Sequence, residues 1–145
     1  RSTEPARIEP ATELTIRPRP NLIVDAPWIR EHLQDPRFPL LDARLPEFYT
    51  GANPGQMPRG GRIPGARNVP FPSLVDPTTR RLLPAAELRA KLDLAPATTN
   101  PIVYCHIGQQ ATVLYFSARL LGLSPKLYDG SFQDWSSQPE LPVEP

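Results

Sequence analysis

One stretch constrains this chain more than any other: an apolar run leads into its only cysteine, and a helical pattern follows soon afterwards. Ile102-Val103-Tyr104 precedes Cys105, and from Ala111 the residues are almost all apolar as far as Leu121. Gly122 then stands where a glycine commonly ends a helix. The pattern predicts a buried strand, a tight loop and a buried helix, with Cys105 at the carboxyl end of the strand.

Such a location favours an anion, because it combines backbone N–H groups with the positive end of a helix dipole. A thiolate at Cys105 would be stabilised there, and the thiolate is the nucleophilic form of cysteine. The alternative is a buried structural cysteine, which is the usual role of a lone free cysteine. The spacing by itself leaves both roles open.

Length and composition narrow the class of protein. A chain of 145 residues suits one domain with a real core, and its 21 prolines are scattered between apolar runs, which favours an ordered domain with stiff connections. The net charge of +1 gives no reason to expect nucleic acid or a membrane as partner. One cysteine and two histidines exclude an intrachain disulfide and a cysteine-based zinc site.

The order of the elements predicts an α/β domain with a mainly parallel sheet that is covered on both faces. Residues 1–20, with four prolines, read as an extended linker or docking segment, or equally as a disordered end. The domain is expected over residues 21–138, followed by an irregular tail over 139–145. Strands are expected at 22–24, 38–44, within 63–70, at 102–104 and at 126–129, helices at 26–33, 45–51, 85–92 and from 111, a helical turn at 71–75, and an aromatic turn at 132–135.

The carboxyl ends of these strands carry most of the residues that suit a functional site. Asp42, Arg44, Cys105 and Asp129 all fall at such ends, and in open parallel sheets the ligand site lies beyond them. This agreement favours a functional Cys105. Asp42 and Asp129 are expected to be structural caps of the surrounding loops.

Four pieces of the sequence, in order, resemble the rhodanese-like sulfurtransferases: residues 41–44, residues 61–68, the Cys105 loop, and residues 128–135. The resemblance is greatest to the catalytic second half of a tandem thiosulfate or mercaptopyruvate sulfurtransferase. It implies a five-stranded sheet and a preceding rhodanese-like domain in a longer parent chain, and the absence of an initial Met is in line with this expectation. Whether that protein is cytoplasmic or periplasmic stays open.

The resemblance also implies the chemistry, which needs no cofactor. Cys105 would take sulfane sulfur from an anionic, thiosulfate-like donor, carry it as a persulfide and pass it to cyanide or a thiol. Arg44 would help to hold the donor, and loop amides would hold the persulfide. The expected binding residues of the loop are His106, Ile107, Gly108, Gln109, Gln110 and Ala111.

The loop after Cys105 departs from the family in its charge, and it also lacks the arginine of a related phosphatase motif. Many relatives place Arg or Lys in the loop, whereas only His106 can ionise here. A related phosphatase uses Cys-x5-Arg, but the sixth residue after Cys105 is Ala111, so the guanidinium that grips phosphate is missing. A non-catalytic rhodanese-like module that binds a partner or senses a ligand is the remaining alternative, against which the intact Cys105, Gly108 and Arg44 argue.

Overall fold

The computed structural model describes residues 15–98 and 100–145, so residues 1–14 of the expected linker lie outside the described part. Five strands form one parallel sheet in the order β1-β5-β4-β2-β3. The predicted α/β class with a five-stranded parallel sheet is therefore confirmed. The strands are β1 (Ile23–Val24), β2 (Leu40–Asp42), β3 (Arg67–Asn68), β4 (Ile102–Tyr104) and β5 (Lys126–Tyr128); the helices are α1 (Ala26–Glu31), α2 (Pro46–Tyr49), α3 (Ala85–Leu92), α4 (Ala111–Leu120) and α5 (Ser131–Ser137).

The central strand β4 divides the core into two layers, because successive side chains of a strand point to opposite faces. Ile102 and Tyr104 join a cluster with residues of α1 and α5 on one face. Val103 and Cys105 join a cluster with residues of α3 and α4 on the other. Helices thus cover both faces, and Cys105 faces the layer that contains α4.

The end of α4 is the one that the sequence predicted. Gly122 has φ +81°, and its amide donates to the Arg119 carbonyl at 3.0 Å. The amide of Leu123 donates to the Ala118 carbonyl, also at 3.0 Å. These two bonds form a Schellman motif, which satisfies carbonyls that a helix end otherwise leaves free.

The start of α1 is also as expected, whereas three helix extents differ. Asp25 Oδ1 accepts a hydrogen bond from the Trp28 amide at 3.0 Å, as an N-cap does. Helix α1 ends at Glu31 rather than near residue 33. Helix α2 covers Pro46–Tyr49 rather than 45–51. The aromatic turn expected at 132–135 is part of the full helix α5, because Phe132 and Trp135 lie on one face and are completely buried.

The tail after residue 138 contains no helix, but it packs against the domain. Leu141 is buried, and the Trp135 indole donates to the Pro142 carbonyl at 2.7 Å. Arg59 ties this region to the loop after α2. Its guanidinium donates to four carbonyl oxygens at 2.7–3.1 Å, those of Trp135, Ser136, Gln138 and Leu141. None of the helices in the described ranges has the length and apolar character that crossing a bilayer requires.

Replacing Arg59 by Ala should destabilise the domain, because four carbonyls at the end of α5 lose a charged donor. We expect the free energy of unfolding in urea to fall by about 2 kcal/mol, the scale of a hydrogen bond to a charged group. Arg30→Ala, on the exposed side of α1, is the matched control and should leave that free energy unchanged. Equal stabilities of the two variants would show that water replaces Arg59 at no cost.

Candidate active site

Cys105 follows β4 directly, and its side chain is completely buried. Its amide donates to Ser131 Oγ at 3.1 Å, and Ser131 Oγ donates to the Tyr128 carbonyl at 2.9 Å. Its carbonyl accepts a hydrogen bond from the Phe132 amide at 2.9 Å. The carboxyl ends of β4 and β5 are thereby fastened to each other and to the start of α5.

Ser131 adopts φ +55°, in the left-handed region that residues other than glycine seldom occupy. In this conformation its hydroxyl bridges the Cys105 amide and the Tyr128 carbonyl. Sequence reasoning missed this role. The available signal is the Asp-Gly-Ser run directly after a strand, which the sequence analysis uses for the family resemblance without giving Ser131 a role.

The loop from Cys105 to α4 lies close to β5. The His106 carbonyl accepts a hydrogen bond from the Gln133 amide at 3.0 Å. Gly108 has φ +85°, and a Cβ at this position would lie 2.9 Å from both the carbonyl oxygen and Oδ1 of Asp129. A glycine is therefore required on two grounds, backbone conformation and space.

The backbone amides of residues 106–111 form the centre of the candidate site, and we call them the amide cradle. None of the six donates a well-formed hydrogen bond to another described residue. They stand just before and at the first turn of α4, where the helix dipole is positive. Free amide donors at a helix N-terminus suit an anion, and Cys105 is the residue that leads into them.

The side chains of the cradle differ in exposure. Ile107 is 56% exposed, Gln109 is also exposed, and Ala111 is buried. Gln110 Oε1 is buried and has no hydrogen-bond partner among the described residues. A cavity of about 440 Å³ borders the loop on the side of Ile107 and Asp129, but Cys105 does not line it.

Arg44 lies in the interior beneath this loop, with 1% of its surface exposed. Its guanidinium forms two-pronged contacts with Asp42: Nε lies 3.0 Å from both carboxylate oxygens, and Nη2 lies 2.5 Å from Oδ2. Nη2 also donates to the Gly61 carbonyl at 2.7 Å, and the guanidinium carbon lies 4.0 Å from the centre of the Phe132 ring. Contact between Arg44 and a donor stays a prediction.

His106 is partly buried, and its ring makes a T-shaped contact with the Phe48 ring, with centroids 4.6 Å apart. Burial lowers the pKa of His106 below its ordinary value, and the positive charge of Arg44 lowers it further. The ring is therefore neutral at neutral pH. Phe48 was not recognised from the sequence, where it appeared only as an apolar residue of a short helix.

The two pairs Asp42–Arg44 and Asp35–Arg37 have nearly the same contact geometry and very different surroundings. In the second pair the two side chains are 19% and 75% exposed.

Among the described residues, no cluster of three or more His, Cys, Asp or Glu side chains could hold a metal ion.

Replacing Arg44 by Gln should destabilise the domain strongly, because the Asp42 carboxylate would remain buried without its counter-charge. We expect the free energy of unfolding in urea to fall by about 3–5 kcal/mol, as for other broken buried ion pairs. Arg37→Gln breaks the exposed pair of the same geometry and should leave the stability nearly unchanged. Similar losses in the two variants would contradict the importance of burial for the Asp42–Arg44 pair.

The sequence of the chain matches one protein family and several characterised or named relatives. The family described as "Rhodanese-like domain" matches residues 25–138. The chain is 33% identical over 131 residues to thiosulfate/3-mercaptopyruvate sulfurtransferase 1, mitochondrial, of Arabidopsis thaliana, covering 87% of this chain and 34% of that protein. It is 34% identical over 119 residues to the thiosulfate sulfurtransferase of Corynebacterium glutamicum, covering 72% of this chain and 38% of the relative.

Solved structures agree with the sequence comparison. A crystal structure of a probable thiosulfate sulfurtransferase is 34% identical and superposes with a TM-score of 0.71, over 92% of this chain and 52% of that one. The Tum1 protein of Saccharomyces cerevisiae is 27% identical with a TM-score of 0.73, over 86% and 47% of the two chains. The chain thus spans about a third to a half of the length of these proteins.

Proposed function

The chain belongs to the rhodanese-like family, and on this basis we propose that it is a sulfurtransferase that carries sulfur on Cys105. The observation that carries the proposal is the position of Cys105 directly before six backbone amides that donate no hydrogen bond to any described residue. Relatives described as thiosulfate and 3-mercaptopyruvate sulfurtransferases support it. The donor that we propose is a small thiosulfate-like anion, and the acceptor is cyanide or a thiol.

The reaction consists of two displacements at sulfur. In the first, the Cys105 thiolate attacks the outer sulfur of thiosulfate, the sulfur–sulfur bond of the donor breaks, and sulfite leaves with the bonding electron pair. In the second, the acceptor attacks the outer sulfur of the Cys105 persulfide, and the Cys105 thiolate leaves. The first displacement consumes the Cys105 thiolate and the second restores it. Each transfers one sulfur atom, so no external oxidant is needed.

The amide cradle supports both steps because the outer sulfur carries negative charge in the persulfide intermediate. Backbone donors are already fixed in place, so they stabilise this charge without reorganising. We propose that the loop residues His106, Ile107, Gly108, Gln109, Gln110 and Ala111 contribute in this way through their backbones. Arg44 is proposed to favour the anionic donor through its positive charge, and its contacts with Asp42 and Gly61 hold that charge in place.

A second rhodanese-like domain is the partner that we propose within a longer protein. The chain spans only 34–38% of the length of the two relatives described above, which supports a tandem arrangement. Neither nucleic acid nor a membrane is proposed as a partner, in view of the nearly neutral charge. The proposed extent of the domain remains residues 21–138, and the packed tail adds contacts to it.

A non-catalytic rhodanese-like module is the second candidate, and one observation favours it. The Cys105 side chain is completely buried, so a donor can reach its sulfur only if the neighbouring loop moves away from it. A module that binds a partner through its surface would not need such access. The two candidates differ in whether Cys105 ever acquires sulfur.

Incubation with thiosulfate or 3-mercaptopyruvate should add the mass of one sulfur atom to the intact protein, because Cys105 is its only thiol. Cys105→Ser should acquire no sulfur and should lose thiosulfate:cyanide transfer, while its circular dichroism stays that of the wild type. Mass spectrometry and the transfer assay provide the measurements. Absence of a wild-type adduct with several donors would favour the module, and substantial activity in Cys105→Ser would contradict the role of Cys105.

A further inference from the structure

We propose that His106 is the general base that removes the proton from an acceptor thiol, and that Gln110 acts through His106 by stabilising the protonated ring. The inference rests on the proposed sulfurtransferase function and assigns the second displacement to named side chains. His106 and Gln110 would act on the acceptor thiol, whereas the amide cradle and Arg44 are proposed to act on the transferred sulfur and the donor. Three features of the structure support it: the placement of the ring, its charge state, and an unpartnered oxygen beside it.

The placement of His106 is fixed at both the backbone and the ring. It follows Cys105 directly, and its carbonyl is held by the Gln133 amide at 3.0 Å. Its ring forms a T-shaped contact with the ring of Phe48 in α2. The imidazole belongs to the residue that follows Cys105, and it is packed against the domain rather than extended freely into solvent.

The charge state of His106 suits a base. Burial and the Arg44 guanidinium lower the pKa of His106, whereas the Asp42 carboxylate and the Gln110 side chain act in the opposite direction. The lowering effects prevail, so the ring is neutral in the range where thiols are still protonated. A neutral imidazole has one nitrogen lone pair available to accept a proton.

Gln110 supplies what the protonated ring would need. Its side chain interacts with the His106 ring and favours the charged form, yet its Oε1 is buried without a well-formed hydrogen bond among the described residues. A buried oxygen without a donor is unusual in a native structure. When His106 takes up a proton, both ring nitrogens become donors, and one of them can satisfy Gln110 Oε1.

The step balances without another reactant. The acceptor thiol gives its proton to His106 as its sulfur attacks the outer sulfur of the Cys105 persulfide. A new sulfur–sulfur bond forms, the bond between Cys105 Sγ and the outer sulfur breaks, and Cys105 leaves as the thiolate. The proton on His106 then passes to the released persulfide or to water, which returns the ring to its neutral form.

The test compares two acceptors in a single turnover of protein that has been loaded with sulfur by thiosulfate or 3-mercaptopyruvate. An alkyl thiol is still protonated at neutral pH, whereas an acidic aryl thiol is already a thiolate and needs no base. In His106→Gln, the rate with the alkyl thiol should fall by about 10²-fold, the lower end of general-base effects, and the rate with the aryl thiol should not change. His32→Gln alters the only other histidine, on α1, and should change neither rate.

The pH dependence tests whether Gln110 stabilises the protonated ring of His106. In wild type, the alkyl-thiol rate should fall on the acid side as His106 becomes protonated, at a pH below its ordinary pKa of about 6.5. Gln110→Glu places a negative charge beside the ring and should move this limb to higher pH. Gln110→Ala removes the acceptor oxygen and should move the limb to lower pH.

Several results would overturn the proposal. Equal losses with both thiols in His106→Gln would mean that the ring only shapes the loop, and no loss with either would mean that it takes no part. An acid limb that stays in place in both Gln110 variants would remove the role of Gln110. If wild-type Cys105 accepts no sulfur from any donor, the proposed function itself fails, and that result is distinct from normal loading followed by unchanged transfer in His106→Gln.

Discussion

The buried ion pair between Asp42 and Arg44 is the interaction on which the geometry of this site depends. Placing both charges in the interior carries a large desolvation cost, which only well-formed contacts offset. Arg44 makes those contacts with Asp42, with the Gly61 carbonyl and with the face of the Phe132 ring. The Phe132 amide in turn donates a hydrogen bond to the Cys105 carbonyl. A continuous set of contacts therefore runs from the end of β2 to Cys105.

The site therefore has two sources of positive potential, the buried Arg44 guanidinium and the backbone amides at the start of α4. The guanidinium charge is held inside the domain and largely balanced by Asp42, so its influence on the loop acts at a distance. The loop side chains are neutral, and His106 has a lowered pKa because of burial and Arg44. Direct stabilisation of an anion therefore falls to backbone amides at the start of α4, whose donors do not titrate. The role that we propose for His106 is proton transfer and not electrostatic binding of the donor.

Much of this could be predicted from the sequence, because it depends on local patterns. The strand before Cys105, the loop, and the helix that ends at Gly122 follow from apolar periodicity and glycine chemistry. The direction of the Arg44 side chain could not be predicted, since a carboxylate two residues away and an anionic donor offer a guanidinium the same contacts. The helix at 131–137 was missed for a related reason: it is stabilised by burial of Phe132 and Trp135 in the core rather than by helix propensity. The contact between Phe48 and His106 joins residues far apart in sequence, and no local pattern indicates it.

The most direct test of the central claim is to follow the six cradle amides when Cys105 acquires sulfur. In ¹⁵N–¹H NMR spectra of the wild-type protein, loading with thiosulfate or 3-mercaptopyruvate should shift the amide proton resonances of residues 106–111 downfield, because these groups gain an anionic acceptor. Resonances of distant amides, such as those of α3, should stay in place, and reduction of the persulfide should reverse the shifts. Loaded protein whose cradle resonances do not move would contradict the claim that these amides hold the persulfide.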